Sequence, residues 1–373
     1  MKRPTTWDSE ILYVSGDEYF DKLLKAIDQA RSSLEIETYI FEKGVLGDRV
    51  VEHLCRAADR GVKIRLIVDG WGSPNFYNDY YRKLRRKGVR VRFFRVIPWI
   101  LKKFPGDPDN FFRRLLWRWK RVNRGNHRKF CLIDKQELWM GSFNISDVHL
   151  REIHGVQAWK DIGVCVRGSD LKYAHRAFVR AFRGWRALNL PTRSPRLLLL
   201  NDSYLHKRRT RLEHLSQMRK AKSRIWLATP YFLPVGTVFR LLRKAASAGL
   251  DVRLIVPDKN DVWIMKWMSW PLLKSLTKKG VQVYVYQPRF SHQKVFIADN
   301  WICVGSTNLN HRSFLHDLEM DVVITRDENK VKIIESYLRD QGKSKSFDTS
   351  EWAHLPFWKR WFSSVFLLLK YWS

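Results

Sequence analysis

Two stretches of the chain, HRKFCLID at residues 127–134 and HQKVFIAD at residues 292–299, repeat one arrangement of polar residues within an apolar run. Each stretch reads H-x-K-x4-D, and each is followed by a G-S-x-N tetrapeptide, at residues 141–144 and 305–308. A single match of this length would carry little weight. Two copies, each with its own tetrapeptide, predict one composite active site built from two related halves.

The spacing of the motif residues predicts how they are presented. Both stretches are short, apolar and rich in β-branched or aromatic residues, which is typical of buried strands. Side chains alternate between the two faces of a strand, so His127 and Lys129 are expected on one face, as are His292 and Lys294.

Each motif ends in an aspartate, Asp134 or Asp299, seven residues after its histidine. This odd offset takes the aspartate off the histidine face or to the end of the strand. We include both aspartates in the predicted catalytic set as members of the motif, and we expect a structural, charge-pairing role for them. The tetrapeptides are predicted to follow on return strands. The residues predicted to bind phosphate there are Ser142, Asn144, Ser306 and Asn308.

The combined pocket would contain two imidazoles, two ammonium groups and two side-chain amides, a set that suits a phosphodiester. Lysines and amide donors stabilise charge on phosphoryl oxygens. One histidine can attack phosphorus while the other gives a proton to the leaving oxygen, because imidazole titrates near neutrality. The cations are already part of the chain, so the sequence predicts no metal and no other cofactor.

These residues resemble the signature of the phospholipase D superfamily, the doubled HKD motif, and within it the short-type bacterial cardiolipin synthases. The resemblance extends to IETYIF (36–41), GVKIRLIVDGWGS (61–73) and NLNHRSF (308–314). It implies an α/β fold of two similar phospholipase D-like lobes, each a mixed β-sheet flanked by helices. A pseudo-two-fold axis would relate the lobes, with one active site at their interface.

An internal repeat supports the duplication. AADRGVKIRLIV (57–68) aligns without gaps with AASAGLDVRLIV (245–256), and helices and strands are predicted in the same order in both halves. The predicted boundary lies near residues 190–195, where NLPTRSPR carries two prolines. We therefore expect an N-terminal lobe at residues 1–192, with the first motif and a basic-aromatic membrane segment. The C-terminal lobe, residues 193–373, would carry the second motif and an amphipathic tail.

A nucleophilic histidine needs its remote nitrogen protonated and held in place. Asp161 in KDIGVCV and Glu319 in LEMDVVI occupy corresponding positions after the two tetrapeptides. The resemblance implies that these acids hydrogen-bond the histidines; the alternative is an ordinary charge at the start of a strand. By the same resemblance, His127 is the nucleophile and His292 is the general acid and then the general base.

The charge of the chain indicates a polyanionic partner, either nucleic acid or an anionic membrane. It has 69 Lys and Arg against 37 Asp and Glu, a formal net charge of +32, and 17 Trp. Three segments, at residues 96–124, 262–279 and 356–372, mix Trp, Phe and Leu with Lys and Arg, as interfacial helices do. The alternative for each segment is an amphipathic helix packed on the protein's own core. Together the segments favour a membrane over nucleic acid.

The sequence thus predicts a phosphatidyltransferase that makes cardiolipin from two phosphatidylglycerols through a phosphatidyl-histidine intermediate and releases glycerol. The alternatives are a phospholipase D-type hydrolase and a nuclease of the same superfamily. The sequence shows no signal peptide and no apolar run long enough to span a bilayer. The expected location is the cytoplasmic face of a bacterial inner membrane, as a peripheral protein. No feature of the sequence indicates an oligomeric state.

Overall fold

The computed structural model describes residues 6–96, 104, 108–119, 122–184 and 195–348, which form two α/β halves. The strands of the first half are β1 (Ser9–Tyr13), β2 (Ser33–Thr38), β3 (Lys63–Val68), β4 (Arg90–Phe93), β5 (Phe130–Ile133), β6 (Glu137–Gly141) and β7 (Gly163–Arg167). The strands of the second half are β8 (Leu198–Leu200), β9 (Arg224–Ala228), β10 (Asp251–Pro257), β11 (Gln282–Tyr286), β12 (Val295–Ala298), β13 (Trp301–Gly305), β14 (Met320–Ile324) and β15 (Ser344–Ser346).

Helices connect these strands in both halves. Those of the first half are α1 (Gly16–Gln29), α2 (Val45–Asp59), α3 (Arg82–Arg86), α4 (Phe111–Trp119), α5 (Arg151–His154) and α6 (Leu171–Arg183). Those of the second half are α7 (Tyr204–Lys220), α8 (Gly236–Ser247), α9 (Trp263–Thr277), α10 (His311–Leu315) and α11 (Asp327–Gly342). A π-helical turn precedes α3, and two 3₁₀ turns flank α5.

Both halves use the same strand order. The first sheet runs β1-β7-β6-β5-β2-β3-β4, and the second runs β8-β14-β13-β12-β9-β10-β11, with β15 added at its edge. In each sheet the three strands on one side of the order are parallel, β2-β3-β4 and β9-β10-β11, and the remaining pairs are antiparallel. The predicted fold class, two similar lobes with mixed sheets flanked by helices, is confirmed.

One apolar core joins the two sheets. Leu138 and Met140 of β6 and Ile302 and Val304 of β13 belong to a single buried cluster, at most 1% exposed each. Burial of each such side chain contributes about 1.5–3 kcal/mol to folding, so this contact is a substantial part of the interface. The predicted lobe boundary at residues 190–195 lies almost entirely outside the described residues.

The two motifs lead into equivalent hairpins. His127 and Lys129 lie on the extended chain just before β5, and His292 and Lys294 lie just before β12, so the regular strands begin later than the pattern predicts. Three residues connect β5 to β6, whereas two connect β12 to β13. The sequence leaves one residue fewer between motif and tetrapeptide in the second copy, and this shorter turn accounts for the difference.

The motif aspartates close these hairpins instead of facing the histidines. Asp134 and Asp299 have positive φ angles of 51° and 50° at the start of the turns. The Asp134 carboxylate accepts hydrogen bonds from the backbone N–H groups of residues 31–33 at 2.9, 2.7 and 2.8 Å. The Asp299 carboxylate accepts from those of residues 222–224 at 2.7, 3.0 and 2.9 Å. These contacts favour the structural role that we expect for both aspartates, and their place in the catalytic set stays a prediction.

The basic-aromatic segment at residues 262–279 packs on the protein's own core. It forms α9, in which Met268, Leu273 and Leu276 are at most 3% exposed. Part of the apolar surface of α9 is thus covered, which favours the alternative of packing on the core, while Trp267 and Trp270 are half-buried. Contact of this segment with a membrane stays a prediction. The segment at 356–372 lies outside the described residues. Among the helices of the described residues, none has the length and apolar character needed to cross a bilayer.

Replacing Asp299 by asparagine is expected to lower the free energy of unfolding by about 1–2 kcal/mol at pH 7, because three backbone N–H groups lose a charged acceptor in a partly exposed site. Burial alone would raise the pKa of Asp299, but hydrogen bonds from these N–H groups and from the Ser223 hydroxyl lower it from 3.8 to about 2. The stabilisation is therefore present above pH 3.8 and is lost as the pH falls through about 2. Urea unfolding from pH 7 to pH 2 measures this difference. An equal loss at every pH would contradict the assignment, and Asp8→Asn, an exposed aspartate, is the matched control.

Candidate active site

Two buried carboxylates hold the two motif histidines, and each carboxylate belongs to the opposite half. Nδ1 of His127 lies 3.1 Å from both carboxylate oxygens of Glu319. Nδ1 of His292 lies 3.1 and 3.3 Å from the two carboxylate oxygens of Asp161. A neutral ring in this position carries its proton on Nδ1 and presents Nε2 as the free base. The structure thus brings all four predicted side chains to the interface, in a crossed pairing.

Backbone hydrogen bonds follow the same crossing. The N–H of His127 donates to the carbonyl of Leu318 at 2.9 Å, and the N–H of His292 donates to the carbonyl of Lys160 at 2.8 Å. Leu318 and Lys160 directly precede the two acids. Each histidine is therefore tied to the partner half through both its backbone and its ring.

The two motif lysines are buried beside the histidines, with different contacts. Nζ of Lys129 donates to the carbonyl of His127 at 2.8 Å. Nζ of Lys294 donates to the carbonyl of His292 at 2.6 Å and also lies 2.8 Å from Nε2 of that ring. Within the described residues, Nε2 of His127 has no hydrogen-bond partner. The two Nε2 atoms, which would face a substrate, therefore differ: that of His292 contacts a lysine, and that of His127 does not.

The four motif groups share one electrostatic environment. Burial lowers the pKa of Lys129 to about 8 and that of Lys294 to about 7. Burial, reinforced by the two lysines, lowers the pKa of His292 to about 3 and that of His127 well below its usual range. The ammonium groups of both lysines lower the pKa of each histidine, so both imidazoles are neutral at neutral pH.

The two acids differ in charge state. Burial alone would raise the pKa of Asp161, but the His292 and His149 rings beside it hold that pKa well below its usual range. Burial raises the pKa of Glu319 to about 7, although the Lys129 ammonium opposes this shift. Asp161 is consequently a carboxylate at neutral pH, whereas Glu319 exchanges a proton there.

The serines of the tetrapeptides position the acids. The Ser142 hydroxyl accepts the N–H of Ile162 and donates to its carbonyl, both at 3.2 Å. The Ser306 hydroxyl makes the same pair of contacts with Met320, at 3.0 and 3.3 Å. Ile162 and Met320 directly follow the acids. These contacts give both hydroxyls a structural role in the resting site, and phosphate binding by the two serines stays a prediction.

The glycines of the tetrapeptides permit this close approach. A Cβ at Gly141 would lie 2.3 Å from the carbonyl oxygen of Ile162, and the φ of Gly141 is 152°. A Cβ at Gly305 would lie 2.3 Å from Oδ1 of Asp321. Any larger residue would push the return strand away from the strand that follows the acid, and the serine contact would be lost.

The asparagines are buried at the same level as the serines. Oδ1 of Asn144 accepts the N–H of Ile40 at 3.3 Å. Oδ1 of Asn308 is buried and has no hydrogen-bond partner among the described residues. Phosphate binding by the two amides stays a prediction.

Two residues that the sequence reasoning missed link each asparagine to its acid. The backbone N–H of Asn144 donates to Nε2 of His149 at 3.1 Å, and that of Asn308 donates to Oγ of Ser313 at 3.2 Å. His149 and Ser313 each lie five residues after the asparagine of the tetrapeptide. This equal spacing is the signal that an aligned reading of the two halves would have found.

Two tyrosines, also missed, lie beside the histidines. The ring centroid of Tyr39 is 5.0 Å from that of His127, and that of Tyr231 is 6.2 Å from that of His292. Nζ of Lys129 lies 5.4 Å from the Tyr39 ring centroid. Both tyrosines follow equivalent strands, β2 and β9, so they form matching walls of the site.

The residue between histidine and lysine points away from the site in both copies. The fully buried Arg128 donates to both carboxylate oxygens of Glu37, at 2.8 Å each. Gln293 donates through Nε2 to Asp340 at 2.7 Å. Buried polar contacts on the back of each motif therefore fix the direction of the histidine and lysine on its front.

Among the described residues, a group with metal-ligating atoms lies behind the second motif. His214, Cys303 and Asp321 are buried with these atoms within 4.8 Å of one another. Asp321 accepts the N–H groups of Ser306 and Thr307 at 2.9 and 3.0 Å, which occupies one carboxylate oxygen in holding the turn after β13. The group is part of the scaffold of that turn, and we assign it no metal.

The chain is similar to several known proteins. A family model described as "Cardiolipin synthase, PLD-like domain" matches residues 23–156 and again residues 215–340. A cardiolipin synthase of Alkalihalophilus pseudofirmus is 28% identical over 99% of this chain and 73% of its own length. Cardiolipin synthase B of Salmonella typhimurium is 31% identical over 84% of this chain and 75% of its own. Among solved structures, phosphatidylserine synthase of Haemophilus influenzae is similar with a TM-score of 0.72 at 14% identity, over 98% of this chain and 94% of that one.

At pH 6 both motif imidazoles are expected to be neutral, because burial lowers their pKa values, and His292 is expected to carry its proton on Nδ1, because Asp161 is a carboxylate at this pH. An exposed imidazole, with a pKa of about 6.5, would be mostly charged at this pH. Ring nitrogen shifts of histidine-labelled protein report the state directly, and His127→Gln and His292→Gln variants assign the signals. A charged ring, or a His292 ring protonated only at Nε2, would contradict the crossed pairing.

Proposed function

This chain belongs to the family of cardiolipin synthases with phospholipase D-like domains, and from that premise we propose that it is a phosphatidyltransferase that makes cardiolipin from two phosphatidylglycerols. The observation that carries the proposal is the pair of neutral, buried imidazoles held by crossed acids beside two buried lysines. This set of groups suits attack on a phosphodiester and protonation of its leaving alcohol.

The phosphodiester is proposed to bind between the two lysines. Lys129 and Lys294 are 4% and 3% exposed, and water that competes for their charge is largely excluded. An arriving phosphate would restore their ordinary ionised state, since an opposite charge favours the charged form of a buried amine. The side-chain amides of Asn144 and Asn308 are proposed to donate to the remaining phosphoryl oxygens.

In the first step, Nε2 of His127 attacks phosphorus, and the bond from phosphorus to the glycerol oxygen breaks. A proton held between Nζ of Lys294 and Nε2 of His292 passes to that oxygen, and glycerol leaves. The product is a phosphatidyl group covalently bound to Nε2 of His127. The Nδ1–H of this ring remains hydrogen-bonded to Glu319.

In the second step, a hydroxyl of a second phosphatidylglycerol gives its proton back to the pair formed by His292 and Lys294. Its oxygen attacks phosphorus, the bond to Nε2 of His127 breaks, and cardiolipin forms. Water in place of the second lipid would give phosphatidic acid by the same route.

The contacts of the two rings support His127 as the nucleophile. Lys294 occupies Nε2 of His292 at 2.8 Å, so this lone pair is engaged in proton exchange. No described residue engages Nε2 of His127, which leaves that lone pair available for attack.

The proposed partner is an anionic membrane surface. Helix α4 exposes Phe112, Leu116 and Trp119 at 77, 57 and 54%, next to the exposed Arg113. Apolar side chains beside basic ones fit the interface of an anionic bilayer. We propose peripheral binding to the cytoplasmic leaflet of a bacterial inner membrane, where such lipids attract the net charge of +32.

The experiment that tests the function is incubation of the purified protein with labelled phosphatidylglycerol vesicles, followed by separation of the lipid products. Cardiolipin and free glycerol in equal amounts are the expected products. Phosphatidic acid alone would favour a hydrolase, and cleavage of nucleic acid without lipid turnover would favour a nuclease; either result would overturn the proposal.

His127→Ala and His292→Ala are each expected to lower the rate of cardiolipin formation by about 10²–10⁴-fold, since each removes a group that takes part in bond or proton transfer. The label of the donor lipid should be trapped as a phosphoramidate on His127 in a His292→Asn variant. Peptide mapping locates the label. A trapped label on His292 in the reciprocal His127→Asn variant would reverse the assignment of the two histidines.

Phe112→Ser is expected to weaken binding to phosphatidylglycerol vesicles by about tenfold or more, because it removes an apolar side chain from the interface. Vesicle flotation measures the bound fraction. Val156→Ser is the matched control, since Val156 is also 77% exposed but lies outside α4. Equal losses in the two variants would argue against α4 as the contact surface.

A further inference from the structure

A third buried histidine contacts the acid that holds His292. Nδ1 of His149 lies 3.0 Å from Oδ2 of Asp161, and the side chains of both residues are completely buried. Nε2 of His149 accepts the backbone N–H of Asn144 at 3.1 Å, so a neutral ring carries its proton on Nδ1, the atom that contacts the acid. The carboxylate of Asp161 therefore lies between the Nδ1 atoms of two imidazoles, hydrogen-bonded to that of His292 and in close contact with that of His149.

The second half contains the same connection built from different side chains. Oγ of Ser313 accepts the N–H of Asn308 at 3.2 Å and donates to Oε1 of Glu319 at 2.6 Å. In both halves the connection runs from the backbone N–H of the tetrapeptide asparagine, through one side chain, to the acid that holds the histidine of the opposite half.

The lengths of the side chains compensate each other. The first half combines the longer His149 with the shorter Asp161, and the second half combines the shorter Ser313 with the longer Glu319. Each combination connects an asparagine N–H group to the acid that contacts the opposite histidine. A change in one member alone would alter the length of this connection among side chains that are all buried.

We propose that His149 is a positioning residue for His292: it locks the rotation of Asp161, and Asp161 thereby keeps the proton of His292 on Nδ1. This inference rests on the proposed role of His292 in proton transfer. His149 touches neither the substrate nor the reacting atoms, and its effect passes through Asp161.

The test is to transplant the combination of the second half into the first. His149→Ser and Asp161→Glu are each expected to lower kcat for cardiolipin formation by about 10- to 100-fold, with little change in KM, since both belong to one network. The double variant, which rebuilds the serine and glutamate pair, should recover activity to within a few-fold of the unmodified protein. A double variant as impaired as the product of the two single effects would overturn the proposal.

Ring nitrogen shifts of His292 provide a readout that needs no turnover. The single variants should show a mixture of the Nδ1–H and Nε2–H forms, and the double variant should return to the Nδ1–H form. An unchanged His292 signal in His149→Ser would overturn the positioning role even if cardiolipin synthesis fails in every sample. His154→Ser, an exposed histidine of α5, is the control and should change neither kcat nor the His292 signal.

Discussion

The crossed pairing of two imidazoles with two buried carboxylates is the constraint on which the rest of the site depends. Glu319 holds His127, and Asp161 holds His292, so neither half has a complete site by itself. Buried charge is costly unless it is paired and hydrogen-bonded, and the motif histidine that contacts each of these acids lies across the interface. The same contacts that orient the chemistry therefore also favour the association of the two sheets.

The two halves build the crossed pairing with the same backbone contacts but with some different side chains. The tetrapeptide glycines and serines fix the strands that carry the acids, and Arg128 and Gln293 anchor the backs of the motifs. The details that differ are the contact of Lys294 with its histidine and the exchange of His149 for Ser313. The same backbone arrangement in both halves thus positions two histidines whose side-chain contacts differ. Such a difference suits a two-step transfer, in which one histidine is the nucleophile and the other transfers the proton.

Much of this arrangement could be predicted from the sequence because the two motifs repeat. The repeated order of helices and strands along the chain and the shorter second hairpin follow from the repeated spacing, whereas the contacts of the histidines with Asp161 and Glu319 were implied by the family resemblance. The crossing could not be predicted, since spacing does not tell which half an acid reaches. The contacts of the Ser142 and Ser306 hydroxyls could not be predicted either, because they depend on which strand lies beside each serine. His149 and Ser313 were missed because they share a position in the two halves but differ in chemistry. Helix α9 has the composition of an interfacial helix although Met268, Leu273 and Leu276 pack on the core.

The most direct measurement of the central claim is a crystal structure of the protein with orthovanadate, which adopts the five-coordinate geometry of phosphorus during transfer. The account predicts one vanadium bonded to Nε2 of His127, with an apical oxygen within hydrogen-bond distance of Nε2 of His292 and with both lysines in contact. Two vanadates, one at each histidine in separate crevices, would contradict it.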